Sequence, residues 1–147
     1  MERNAPKGDE LLLIEASMLL QSLLLGSFDR KNINCTKTQL VIFLALSRYG
    51  PLNMSQIAGY IAASNEQATR AVAPLVNAGL AERFNDPENR TRVYVRLTPK
   101  GQRCVTERSQ DIVEQIDERL NRSVNEEERL QLCQAAETII KIAGKVH

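Results

Sequence analysis

Residues 53–80 read NMSQIAGYIAASNEQATRAVAPLVNAGL, and this stretch decides the fold. A capping box places Ser, Thr, Asp or Asn three residues before Glu or Gln, so that two free backbone N–H groups are satisfied reciprocally. Asn53 with Gln56 and Ser64 with Gln67 both fit that spacing. They predict a short helix from Met54 to Ile61 and a longer one from Asn65 to Asn77, with Gly79 as its C′ glycine. The connection Ala62-Ala63-Ser64 is short enough for a helix-turn-helix, and its small side chains allow close approach of the two helices. In the second helix Ala71, Val72, Leu75 and Val76 are expected to face inward, while the first turns, Asn65 to Arg70, are polar. Pro74 lies within it, removes one ladder hydrogen bond and is expected to alter the helix's aim.

Further helix starts lie on either side. Thr36 with Gln39 opens a helix from Thr36 to Arg48 that stops at Gly50-Pro51. Thr98 followed by Pro99 opens another, from Pro99 to about Asn121. Asn125 with Glu128 opens the last, from Glu126 to about Lys145. The first helix, from about Asp9 to Phe28, is apolar nearly all round, which implies burial on more than one side. Two strands, Leu80 to Phe84 and Arg92 to Leu97, flank the polar turn Asn85 to Arg90 and form a hairpin. In the second strand Val93, Val95 and Leu97 alternate with Arg92, Tyr94 and Arg96. The expected fold is mainly α with a small β-hairpin wing (α+β), a winged helix-turn-helix over residues 36–98. Long helices in 1–35 and 99–147 flank it within one compact domain.

Composition narrows the chemistry. The chain has 147 residues, 43% of them hydrophobic, enough to bury one core without disulfides or metals. Net charge is only +1, but Arg48 to Arg108 holds nine basic and five acidic residues, a local charge of +4 that leaves −3 elsewhere. A basic middle between acidic flanks points mildly to a polyanionic partner. The cysteines, Cys35, Cys104 and Cys133, are odd in number and widely spaced, which fits neither a disulfide framework nor a zinc site. Acidic residues near the first apolar run argue against a signal peptide. That run, Leu11 to Leu25, is interrupted by Glu15 and Gln21 and is too short to span a bilayer. A cytoplasmic protein with no membrane partner and no cofactor is expected. The only histidine is His147, and no glycine-rich phosphate loop occurs, so an enzyme is not expected.

A helix whose first turns are free and polar suits the major groove. Asn and Gln can pair bidentately with adenine edges, and Arg with guanine or phosphate. An arginine on an extended tip, as Arg90 is, can enter a narrow minor groove. The segments Pro51 to Ala58, Thr69-Arg70 to Gly79-Leu80, Asp86-Pro87-Glu88-Asn89-Arg90 and Val95-Arg96-Leu97-Thr98-Pro99-Lys100-Gly101 together resemble the MarR family of regulators, across essentially the whole chain. The resemblance implies a homodimer joined by the first and last two helices. It implies binding of a roughly palindromic duplex operator, repression being the usual outcome, and release by a small-molecule effector.

The resemblance carries over to Asn65, Glu66, Gln67, Thr69 and Arg70 as major-groove residues, Arg90 as the wing arginine and Arg92 beside the backbone. Glu66 departs from the family's more basic or hydroxyl-rich pattern, and either accepts from cytosine or orients Arg70. Arg70 has an alternative role as an ion-pair partner of Glu66 or Asp86, and Gln67 can be spent on its own cap. An effector pocket would lie between the first, second and fifth helices, with Met18, Ser22, Phe43, Ser47 and Arg48 as conceivable walls. Cys35, just before the second helix, is a candidate redox sensor because the positive helix end would favour its thiolate. Cys104 and Cys133 are read as packing residues. The alternatives are a winged helix that binds protein and a cysteine-based redox-responsive regulator.

Overall fold

The computed structural model describes residues 8–26 and 36–146. In chain order the elements are α1 (Gly8–Gly26), α2 (Lys37–Tyr49), β1 (Leu52–Asn53), α3 (Met54–Tyr60), α4 (Asn65–Asn77), β2 (Ala81–Asn85), β3 (Val93–Leu97), α5 (Pro99–Ser123) and α6 (Glu126–Ala143). The four capping boxes all form. Thr36, Asn53, Ser64 and Asn125 each accept from the backbone of the residue three positions on, whose side chain accepts in return from the cap's own N–H.

The sheet differs from expectation. It has three antiparallel strands in the order β1-β3-β2, not two. The added strand, Leu52–Asn53, lies against Val95 and Tyr94 and ties the hairpin to the start of α3. The first hairpin strand shifts by a residue, to Ala81–Asn85, and the second begins one residue later than read, at Val93–Leu97. Val93 is exposed, because only β2 flanks it at that level, whereas Val95 is fully buried between β1 and β2.

The core joins α2 through Ile42, Phe43 and Leu46, α3 through Ile57, α4 through Ala68, Val72 and Leu75, and the sheet through Leu52, Ala81 and Val95. Val105 of α5 closes it. At ~25 cal/mol per Å² of apolar surface buried, each large side chain among these contributes about 2 kcal/mol. The helices outside this core are different. Leu11, Leu12, Leu13, Ile14, Met18 and Leu19 of α1 are all more than half exposed, as are Leu130, Ile140 and Ile142 of α6.

The two halves meet where α5 begins. The Thr98 side chain donates to the Gly79 carbonyl (2.6 Å) and accepts from the Gly101 N–H (3.0 Å). The Thr98 N–H donates to the Leu80 carbonyl (3.1 Å), and Lys100 Nζ donates to the Ala78 carbonyl (3.0 Å). The last carbonyls of α4 and its turn are thus satisfied by the first residues of α5. The approach is so close that a Cβ on Gly101 would lie 1.8 Å from the Leu80 oxygen.

At its far end α5 turns back into α6. Arg129 donates to a carboxylate oxygen of Asp117 and to Asn121 Oδ1 (2.6 Å), while Asn121 Nδ2 donates to the other Asp117 oxygen (3.0 Å). The Arg129 hydrogen bond, then its charge, hold the Asp117 carboxyl below the usual carboxylate range.

Two outcomes are expected. Gly101→Ala forces α5 off Leu80 and costs about 2 kcal/mol or more, a fall in melting temperature of about 5–10 °C; an unchanged melt would contradict the contact. Because the folded Asp117 pKa is depressed, its contribution is present above the unfolded value and lost as pH falls through the folded one. Denaturant titrations should therefore show Asp117→Asn flattening the acid limb below about pH 4; superimposable limbs would contradict it.

Candidate nucleic-acid interface

Two surfaces stand out on the winged helix, the first turns of α4 and the tip of the hairpin. The turn before α4 closes α3 with paired bonds, Ala62 N–H to the Gly59 carbonyl (3.2 Å) and Ala63 N–H to the Ala58 carbonyl (2.9 Å). That is a Schellman motif, which wants a left-handed residue at C′. Here it is Ala62, at φ +51°, the only non-glycine with positive φ among the described residues. The same motif ends α4, with Gly79 at φ +71°.

Ala68, Val72 and Leu75 pin α4 to the core. That leaves Asn65, Glu66, Gln67, Thr69 and Arg70 exposed together on its first turns. Gln67 Oε1 accepts from the Ser64 N–H (2.9 Å), which spends one of its two acceptor sites, and Thr69 Oγ1 donates to the Asn65 carbonyl (2.8 Å). Arg70 has no ion pair among the described residues, with Glu66, Asp86 or any other acid. Pro74 lies inside α4 as read. With no N–H of its own, it leaves the Arg70 carbonyl without its ladder donor.

The hairpin tip is tied by its own polar side chains. Asn85 Nδ2 donates to the Arg90 carbonyl (2.7 Å), Asp86 Oδ1 accepts from the Glu88 N–H (2.9 Å), and Asn89 Oδ1 accepts from the N–H and hydroxyl of Thr91. The Asp86 N–H donates to the Arg92 carbonyl and the Arg92 N–H to the Asn89 carbonyl. The Arg90 and Arg92 side chains are exposed, and neither forms an ion pair among the described residues. Arg96 is engaged, by Glu82 at 2.6 Å and by the face of Phe84 at 4.6 Å. Sequence reading did not foresee that cluster, although Glu82, Phe84, Tyr94 and Arg96 at alternate strand positions were its signal.

The remaining candidates are dispersed. Phe43 is core, Met18 and Ser22 lie exposed on α1, and Arg48 is exposed at the end of α2. Ser47 alone lines a hollow between α2 and α5, with Thr106, Ser109 and Gln110. Cys35 lies outside the described residues. Cys104 is half-buried and accepts from Arg108 Nε (3.1 Å), whereas Cys133 is exposed, and both are free thiols. Among the described residues no group of His, Cys, Asp and Glu side chains could hold a metal ion, and no helix is long and apolar enough to cross a membrane.

A helix-turn-helix followed by a β-hairpin, to which a short strand from before it is added, defines a winged-helix protein. Over residues 35–93 the chain matches the MarR family. Similar solved structures extend the likeness beyond that segment. The transcriptional regulator PA4135 has 28% identity, a TM-score of 0.71, and covers 94% of this chain and 98% of its own. The transcriptional regulator BldR from Sulfolobus solfataricus has 25% identity, a TM-score of 0.68, and coverage of 91% and 99%. NadR in complex with 4-hydroxyphenylacetate shares the fold, with 24% identity, a TM-score of 0.65, and coverage of 97% and 99%. No curated protein sequence matches the chain significantly.

Replacing Ala62 by glycine should relieve the left-handed strain in the helix-turn-helix and raise stability by about 1 kcal/mol in urea unfolding. A neutral or destabilising result would refute that account of the turn.

Proposed function

We propose that this chain is a sequence-specific DNA-binding transcriptional regulator, a repressor rather than an enzyme, acting in the cytoplasm as a homodimer. The observation that carries the reading is the pairing of an unengaged Arg90 on a tied wing tip with the exposed polar start of α4. In this reading Asn65, Glu66, Gln67, Thr69 and Arg70 meet base edges and phosphates in the major groove. Arg90 enters the minor groove, and Arg92 meets the adjacent backbone.

The division of labour follows the burial pattern. Residues 36–98 read DNA, and 1–35 with 99–147 dimerise. Apolar side chains left open on α1 and α6 support burial against a second copy. Two reading heads about one helical turn (~10 bp) apart then fit a pseudo-palindrome. The NadR neighbour, in complex with a small aromatic acid, supports a small-molecule effector for this chain as well.

Selection from random duplex DNA with the purified protein tests the reading. A recovered palindrome with half-sites about one turn apart is expected. Against that duplex, Arg90→Ala should weaken binding about tenfold and reduce the salt slope by about one. Binding indifferent to both the substitution and salt would defeat the proposal, as would a partner protein captured by the same surface without nucleic acid.

A further inference from the structure

The outer face of the hairpin carries four side chains in register. Glu82 lies opposite Arg96 and Phe84 opposite Tyr94. The Phe84 and Tyr94 rings stack, with centroids 5.9 Å apart and planes inclined by 26°. The Arg96 guanidinium lies across the diagonal, 4.6 Å from the Phe84 centroid, with Nε 2.6 Å from Glu82 Oε1. Tyr94 in turn lies opposite Asn53 of β1, the N-cap of α3. A continuous chain of contacts therefore runs from the first helix of the helix-turn-helix to the base of the wing.

We propose that Arg96 is a positioning residue that braces the wing, with Glu82 and the Phe84–Tyr94 pair, so that Arg90 is presented at a fixed pitch. This rests on the DNA-binding reading above. Arg96 has the charge expected of a phosphate ligand, yet its guanidinium is already held on two sides. An aromatic face beneath and a carboxylate at its edge fix the plane of the group. The next residue after Phe84 is Asn85, whose amide holds the Arg90 carbonyl. A change in the twist of β2 at Phe84 therefore passes directly to Arg90. Cross-strand pairs of this kind are the unit by which a short two-strand segment keeps its shape. The hairpin needs such help, since β1 reaches β3 only at Tyr94 and Val95 and covers none of the tip.

The test is a double-mutant cycle on the selected duplex. Arg96→Met should weaken binding about fivefold, a loss in keeping with an exposed cation–π contact plus an exposed ion pair. In the Arg90→Ala background the same change should weaken binding by less than about twofold, because the brace acts through Arg90. Phe84→Leu, which leaves every cation in place, should weaken binding to the same extent as Arg96→Met and add little to it. In the free protein, Arg96→Met should speed hydrogen exchange of the Asp86 and Arg92 amides without lowering the melting temperature appreciably.

A full, additive loss from Arg96→Met on Arg90→Ala, with Phe84→Leu binding like wild type, would make Arg96 a DNA ligand and overturn the proposal. So would unchanged exchange at the tip. If wild type binds no duplex, or Arg90→Ala has no effect, the DNA reading itself fails, and the exchange measurement still decides whether Arg96 braces the hairpin.

Discussion

The first residues of α5 are pressed against the turn that ends α4, and the geometry of the winged helix follows from that contact. Thr98 grips the Gly79 carbonyl with its hydroxyl and the Leu80 carbonyl with its N–H. Gly101 supplies the space that a methyl group would fill. Because Ala81 begins β2 and Leu97 ends β3, opposite each other in register, the contact also fixes the base of the hairpin. Three requirements meet there: α4 must stop, the strands must pair, and α5 must leave in a new direction. Backbone carbonyls that would otherwise be orphaned at a helix end become the attachment points for the next helix.

From this anchor outward, the two candidate surfaces are held in different ways. The start of α4 is held from behind, by Ala68, Val72 and Leu75 in the core, so its polar side chains need no partners among themselves. The wing has no core at its tip. Its shape rests on short-range polar bonds from Asn85, Asp86 and Asn89, and on the aromatic and charged pairs across its outer face. Packing sets the first surface and side-chain hydrogen bonding the second.

Much of this was legible in the sequence because it is local. A capping box is a pattern over four residues, and Thr36, Asn53, Ser64 and Asn125 each formed one. Gly79 was legible as a C′ glycine for the same reason. What could not be read depends on register between distant segments. β1 is two residues long and exists only because Val95 and Tyr94 pass beside Leu52 and Asn53. Val93 follows the strand's alternation yet lies open, because β1 ends before it. The engagement of Arg96 required knowing that Glu82 is its cross-strand partner. On α4 the polar face could be read from periodicity, but the use of Gln67 in its cap and of Thr69 on the Asn65 carbonyl shows how few of those atoms are free.

The placement of the core has a consequence for the order in which the chain folds. Its buried residues run from Ile42 to Val105, and all of them find their partners within that span, even where β1 meets β3 from a distant part of it. These contacts require no second molecule. The apolar faces of α1 and α6 lie outside that span and find little to cover them within the protomer. Under the proposed homodimer, folding divides into a unimolecular step that builds the winged helix and a later encounter step that buries the flanking helices. The rate of the second step depends on how many chains are present. Between the two steps the protein would be a finished winged helix with uncovered apolar helices, the state in which aggregation competes with assembly.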